Sequence, residues 1–263
     1  MLYIVRAVTV LLLAPLVLGA TSRAGDAAAE LNVAKAAVLG VVDSQKVTLV
    51  DQFESLEGVE RVTLISEPYK LARPMQRIRD RQHFYDEIKW NKVSEKKLPL
   101  MIDLVNVFLS SDATFSAFVA DKTKHDVIGR FGGSFKAYEA RARQLVRASI
   151  RRGETVYVIA DEYSTPPAET FEENVRDYVN ARLKRPAVAG VCRMRSSGVD
   201  LLQLIDVLLG AVVYEYKAKQ GIVSLASYKP KAKLLAHVKR RSGVKTFVGG
   251  YRDERLNIAE YGS

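Results

Sequence analysis

Two apolar runs of the chain close on a carboxylate. TFSAFVAD, residues 114–121, ends at Asp121, and TVYVIAD, residues 155–161, ends at Asp161. Both are rich enough in β-branched and aromatic residues to be strands, and α/β folds place ligands at strand ends. If the two strands are parallel neighbours, both carboxylates emerge at one edge. There they repel, and a divalent cation offsets the repulsion. The other reading of either residue is a turn or cap, a common use of Asp. A third carboxylate, Asp206, lies inside VDLLQLIDVLLGAVV, where Leu201, Leu202, Leu204, Ile205, Leu208 and Val212 leave little polar surface. An unpaired carboxylate is costly in such a place, so Asp206 needs a cation, a donor or a metal. A hydrogen-bonded buried Asp that anchors the helix meets the same need. Gln203, three residues earlier, shares its face. Asp200 suits a first helical turn, where the dipole favours an acid. Glu87, in FYDEIKW beside the only tryptophan, Trp90, belongs either to a packing cluster or to the same edge as Asp121 and Asp161.

Other chemistries are thinly supported. Cys192 is the only cysteine, and the histidines are His83, His125 and His237. A Cys/His zinc site and an intramolecular disulfide are thereby excluded, and any metal must take oxygen ligands. The three histidines sit in polar or basic contexts and read as surface residues. Gly129 and Gly132-Gly133 lack the GK[ST] ending of a phosphate-binding loop, and no Ser-His-Asp order is supported by a motif.

The elements that would position these residues alternate. Strands are expected at 33–42, 59–65, 114–121, 155–161 and 187–194. Helices are expected at 45–57, from a Ser94 cap through Phe108, and at 133–152, 168–184 and 199–219. Pro68 and Pro74 read as punctuation of an irregular basic stretch. The tail from 229 reads as a short helix and a strand near 244–248. Strand–helix alternation argues for an α/β layer fold. At 263 residues, 48% hydrophobic and 27% charged, the chain has material for one large core.

With 40 Lys+Arg against 30 Asp+Glu, the net charge is +10. That excess fits polyanionic partners, or simply a well-solvated surface. The helix at 133–152 is basic and amphipathic, with Arg141, Arg143, Arg147, Arg151 and Arg152, and the tail from 229 is basic as well.

Residues 7–20, AVTVLLLAPLVLGA, follow Arg6 and precede Ser22-Arg23-Ala24. They read either as a signal peptide, since the stretch is short and Pro15 interrupts it, or as a first strand. The expected organisation is therefore a signal-like segment or degenerate first strand at 1–24 and a single α/β domain at 25–263. The location is cytoplasmic, or exported if residues 1–24 act as a signal.

FYDEIKWNKVS, FSAFVADK, VYVIADE and, above all, SSGVDLLQLIDVLLGAVVYEYK resemble the domain of unknown function 3800 family, over about residues 35–220. Residues 221–263 then form a basic C-terminal extension. The resemblance implies a ribonuclease H-like fold, a mixed sheet flanked by helices, and metal-dependent hydrolysis of phosphodiesters. By it, Glu87, Asp121, Asp161 and Asp206 are the catalytic acids. Asp121, Asp161 and Asp206 hold Mg²⁺ or Mn²⁺. Arg141, Arg147, Arg151, Lys231 and Lys233 bind nucleic acid. The family opens with a strand and Asp-Glu-Ser-Gly, whereas this chain reads Thr21-Ser22-Arg23-Ala24-Gly25-Asp26. Without the leading acids, a weakened or inactive member is implied, or a non-catalytic nucleic-acid-binding protein of the same fold. Asp26 and Asp43 are the nearby substitutes.

Overall fold

The computed structural model describes residues 2–4, 8–12, 67–121, 129–152, 155–161 and 170–260. The strand, helix and strand expected at 33–42, 45–57 and 59–65 lie outside these residues, as do Asp26 and Asp43. Residues 8–12 form a strand; residues 13–24 are not described.

The described chain is a mixed α/β structure. Its strands are β1 (Leu2–Ile4), β2 (Val8–Leu12), β3 (Phe115–Asp121), β4 (Val156–Asp161), β5 (Val188–Met194), β6 (Tyr251–Arg252) and β7 (Leu256–Glu260). Its helices are α1 (Glu67–Arg81), α2 (Leu98–Leu109), α3 (Ser134–Ser149), α4 (Phe171–Leu183), α5 (Asp200–Lys219) and α6 (Pro230–Ser242). One sheet has the order β1-β3-β7-β6 and the other β2-β4-β5. β3 and β4 are thus not hydrogen-bonded neighbours, contrary to the expectation for Asp121 and Asp161. Each finds an antiparallel partner in the N-terminal residues and a parallel one downstream: β7 for β3, β5 for β4.

Alternation along β4 explains the layers. Val156, Val158 and Ala160 point into a core with Val146 of α3 and Phe171, Val175 and Val179 of α4. Tyr157 and Ile159 point into the larger core, built with α1, α2, α5 and α6. A strand buried on both faces reads as a continuous apolar run, which is why TVYVIAD stands out in the sequence.

Three expectations change. The basic stretch around Pro74 is the helix α1, with Pro74 inside it. A proline there removes a backbone hydrogen bond, but Leu71, Met75 and Ile78 repeat at helical spacing and pack into the larger core. That burial outweighs the local cost. α2 begins at Leu98 without a Ser94 cap; Pro99 occupies its first turn, where the missing N–H has no helical partner to lose. At the other end, residues 244–248 are not a strand; the C-terminal strand is β7, which joins β3. Leu234, Leu235, Val238, Phe247, Leu256 and Ile258 belong to the larger core. Residues 230–260 are therefore part of the body of the fold and not an appendage.

Candidate functional site

The segment 84–92 lies across the N-terminal half of α5, and the polar residues of α5 hold it there. Arg79, only 4% exposed, pairs with Asp200 at 2.7 Å and donates to the Phe84 and Asp86 carbonyls at 3.3 and 2.9 Å. Gln203, 2% exposed, uses both ends of its amide. Its Oε1 accepts from Arg79 Nη2 at 2.8 Å and from the Ile88 N–H at 2.6 Å. Its Nε2 donates to the Ser196 and Ser197 carbonyls at 2.9 and 3.3 Å. One turn on, Asp206 Oδ2 accepts the Trp90 N–H at 2.8 Å. Asp206 is exposed, not buried as its apolar neighbours imply. The segment it holds covers only part of α5 and leaves the carboxylate at the margin. The Trp90 ring lies 5.6 Å from that of Tyr214 and fills the space that a side chain at Gly210 would need.

Glu87 points to the strand ends. It accepts from Ser196 Oγ at 2.9 Å and pairs with Lys89 at 2.9 Å, with Lys92 at 4.0 Å. Ser196 follows the end of β5 at Met194, and Met194 stands opposite Asp161 in the β4–β5 register. Glu87 and the half-buried Asp161 thus belong to the same carboxyl edge. Partial burial pulls the Glu87 carboxyl upward, but the bonds from Lys89 and Ser196 and the charges of Lys89 and Lys92 together hold it below the usual value. Asp121 ends β3 opposite Leu2, in the other sheet.

A Mg²⁺ or Mn²⁺ ion takes several oxygen ligands at short range. Glu87 shares its carboxylate with two ammonium groups and a hydroxyl, a poor fit for a cation. Asp206 has one oxygen on a backbone N–H. Among the described residues, no three His, Cys, Asp or Glu side chains form a group that could hold a metal ion.

The expected phosphate contacts divide. Arg141 is 4% exposed, and its guanidinium lies over Phe118 at 4.7 Å and Phe131 at 5.0 Å. It packs on the inner face of α3, with little of its surface open to a phosphate. Arg147 and Arg151 are exposed on that helix and just beyond it. Lys231 sits 5.7 Å over Trp90, and Lys233 pairs with Glu95 at 2.8 Å.

A larger feature lies outside any single motif. Residues 217–252 hold ten Lys and Arg and no Asp or Glu. The rest of the chain balances its 30 acids with the remaining cations. This stretch runs from the end of α5 through α6 to β6. It borders an open groove of about 590 Å³ lined by Ala218, Lys219, Val223, Leu225, Thr246 and Val248, with Glu215 at its base. Glu215 is neutralised there by Lys239 and accepts the Phe247 N–H at 2.8 Å. A running charge count finds this stretch at once; apolar periodicity does not register it.

Comparisons of the chain with protein-family models, with curated proteins and with solved structures gave no match. No helix among the described residues is long and apolar enough to cross a membrane.

Proposed function

We propose that this chain is a nucleic-acid-binding protein whose contact face is residues 217–252, carried on an α/β scaffold of ribonuclease H-like character. One observation carries the reading: ten cations without an acid, among them the exposed Lys219, Arg240, Arg241, Lys245 and Arg252. Such a face attracts phosphates and gains from the counterions they release. Three acids around the start of α5, Asp200, Glu87 and Asp206, are engaged by Arg79, Lys89 and the Trp90 N–H.

The test is binding of a labelled oligonucleotide, by anisotropy, across a salt series. The logarithm of the affinity should fall linearly with the logarithm of salt. Replacing Arg241 and Lys245 with Gln should flatten the slope by about 0.7–0.9 for each phosphate that is no longer neutralised. Binding that ignores salt overturns the proposal.

A second reading, Mg²⁺- or Mn²⁺-dependent phosphodiester hydrolysis, rests on the resemblance of the α5 region and on the shared edge of Asp161 and Glu87. Metal-dependent cleavage that disappears in Asp161→Asn while binding persists would establish it in place of simple binding.

A further inference from the structure

Four large hydrophobic side chains stand exposed among the described residues: Tyr85 at 67%, Ile222 at 55%, Leu225 at 46% and Tyr228 at 73%. Three of them lie in one connection, residues 220–229 between α5 and α6. Clustered apolar exposure of this kind marks a contact surface. The connection is held by its own hydrogen bonds. Gly221, at φ 72°, ends α5, and the Ile222 N–H reaches back to the Lys217 carbonyl at 2.9 Å. Tyr214 Oη donates to the Ser224 carbonyl at 2.8 Å, and the Lys229 N–H closes on Ala226 at 2.9 Å. The exposed side chains are therefore presented from a fixed backbone, while Val223 between them packs inward.

This connection lies within the stretch that has no acid. Lys217 and Lys219 precede it, Lys229 closes it and Lys231 follows. Lys219 and Leu225 share the groove with Thr246, beside the exposed Lys245. Lys219 and Lys245 form no ion pair with the described residues. A duplex offers a phosphate face but keeps its bases stacked inside. It would use the lysines and leave Ile222, Leu225 and Tyr228 without a role. A single strand uses both, with phosphates on cations and bases on an aromatic or apolar platform.

We infer that residues 217–229 and the adjoining groove bind single-stranded nucleic acid, with a base stacked on Tyr228, its neighbour against Leu225 and Ile222, and the backbone along Lys219, Lys229 and Lys245. This rests on the nucleic-acid reading above and specifies the form of nucleic acid recognised.

The experiment compares a labelled single strand with a duplex of the same length, for the parent chain, Tyr228→Ala and Tyr228→Phe. Tyr228 is exposed and its hydroxyl has no partner among the described residues, so neither change disturbs the fold. The single strand should bind more tightly than the duplex. Tyr228→Ala should weaken single-strand binding about tenfold, the scale of one base stacked on an aromatic ring, and leave the duplex and the salt slope unchanged. Tyr228→Phe should keep the parent affinity. Equal affinity for the two forms, or no loss in Tyr228→Ala while salt-dependent binding persists, overturns the inference and leaves the broader proposal standing. Absence of salt-dependent binding to either form overturns both. Vesicles of anionic phospholipid form the control arm. Tyr228-dependent binding to them, without a preference for single strands, would replace the inference with a membrane surface.

Discussion

Gly210 offers a direct test of how the segment 84–92 sits on α5. A Cβ built at this position would lie 2.1 Å from Trp90 Cγ, 2.4 Å from Cδ2 and 2.5 Å from Cβ. Real Cβ atoms do not come that close, so Gly210→Ala must move the indole. Two terms oppose each other. Alanine in the helix interior gains about 1 kcal/mol over glycine. Forcing a ring out of a filled site costs about 1–3 kcal/mol, as overpacking does. The displacement also loosens three interactions at once: Tyr214 at 5.6 Å, Lys231 at 5.7 Å and the bond from the Trp90 N–H to Asp206. The net expectation is a loss of about 1–3 kcal/mol, or a fall in Tm of about 2–10 °C for a chain of this size. Trp90 is the only tryptophan, so its emission reads the site without interference. It should shift to the red in the variant and become more accessible to iodide. A variant more stable than the parent, with unchanged emission, would mean that the ring does not rest on Gly210 and that the segment is placed elsewhere.

Gln203→Leu strips partners from a buried guanidinium, one N–H and two carbonyls. Urea denaturation should record a loss of about 2–4 kcal/mol, whereas Asp206→Asn, exposed and still able to accept the Trp90 N–H, should stay within about 0.5 kcal/mol. Arg141→Ala should lower Tm without altering the salt dependence of nucleic-acid binding, because its guanidinium is spent on Phe118 and Phe131. His237 bonds Asn106 at 2.8 Å and faces Arg240 at 3.3 Å; burial first, then Arg240 and Arg241, lower its pKa from 6.5. The unfolded chain therefore binds this proton more readily. The contribution of His237 is complete above about pH 6.5 and is lost as pH falls through the lower folded value. Replacing it with Gln should flatten that limb of a stability-against-pH curve.

The central strands were legible because β4 is buried on both faces and β3 carries Phe115, Ala117 and Val119 into the core. α5 was legible from its apolar content, but the position of Asp206 was not. Counting apolar neighbours does not tell which stripe of a helix is covered by a sheet and which by a short loop. Here the loop is 84–92, whose docking depends on Gln203, a residue 115 positions away from its partner Ile88. α1 was hidden by Pro74, since the local cost of a proline is visible in sequence and the repayment by Leu71, Met75 and Ile78 is not. β7 was hidden by its length and by Asn257 and Glu260. Only its pairing with β3 makes it a strand.

The distribution of charge ties the site to the fold. Around the start of α5, three acids meet donors within the molecule: Asp200 meets Arg79, Glu87 meets Lys89 and Ser196, and Asp206 meets the Trp90 N–H. These groups fix one segment of backbone on one helix. Their fields largely close on themselves, and a carboxylate committed to an ammonium is a weak ligand for Mg²⁺. At the other end of the same helix the pattern reverses. Among the described residues, only Lys233 and Lys239 of the ten cations in 217–252 form ion pairs with acids, Glu95 and Glu215. Beyond those two pairs, folding gives the accumulation little compensation, because like charges packed along α6 repel. The proposed polyanion would supply the remaining compensation from outside. α5 therefore joins two regions of different charge pattern, one in which acids are paired with donors and one in which most of the cations form no ion pair among the described residues. The proposed contact face at residues 217–252 and the network of Asp200, Glu87 and Asp206 thus lie toward opposite ends of one helix.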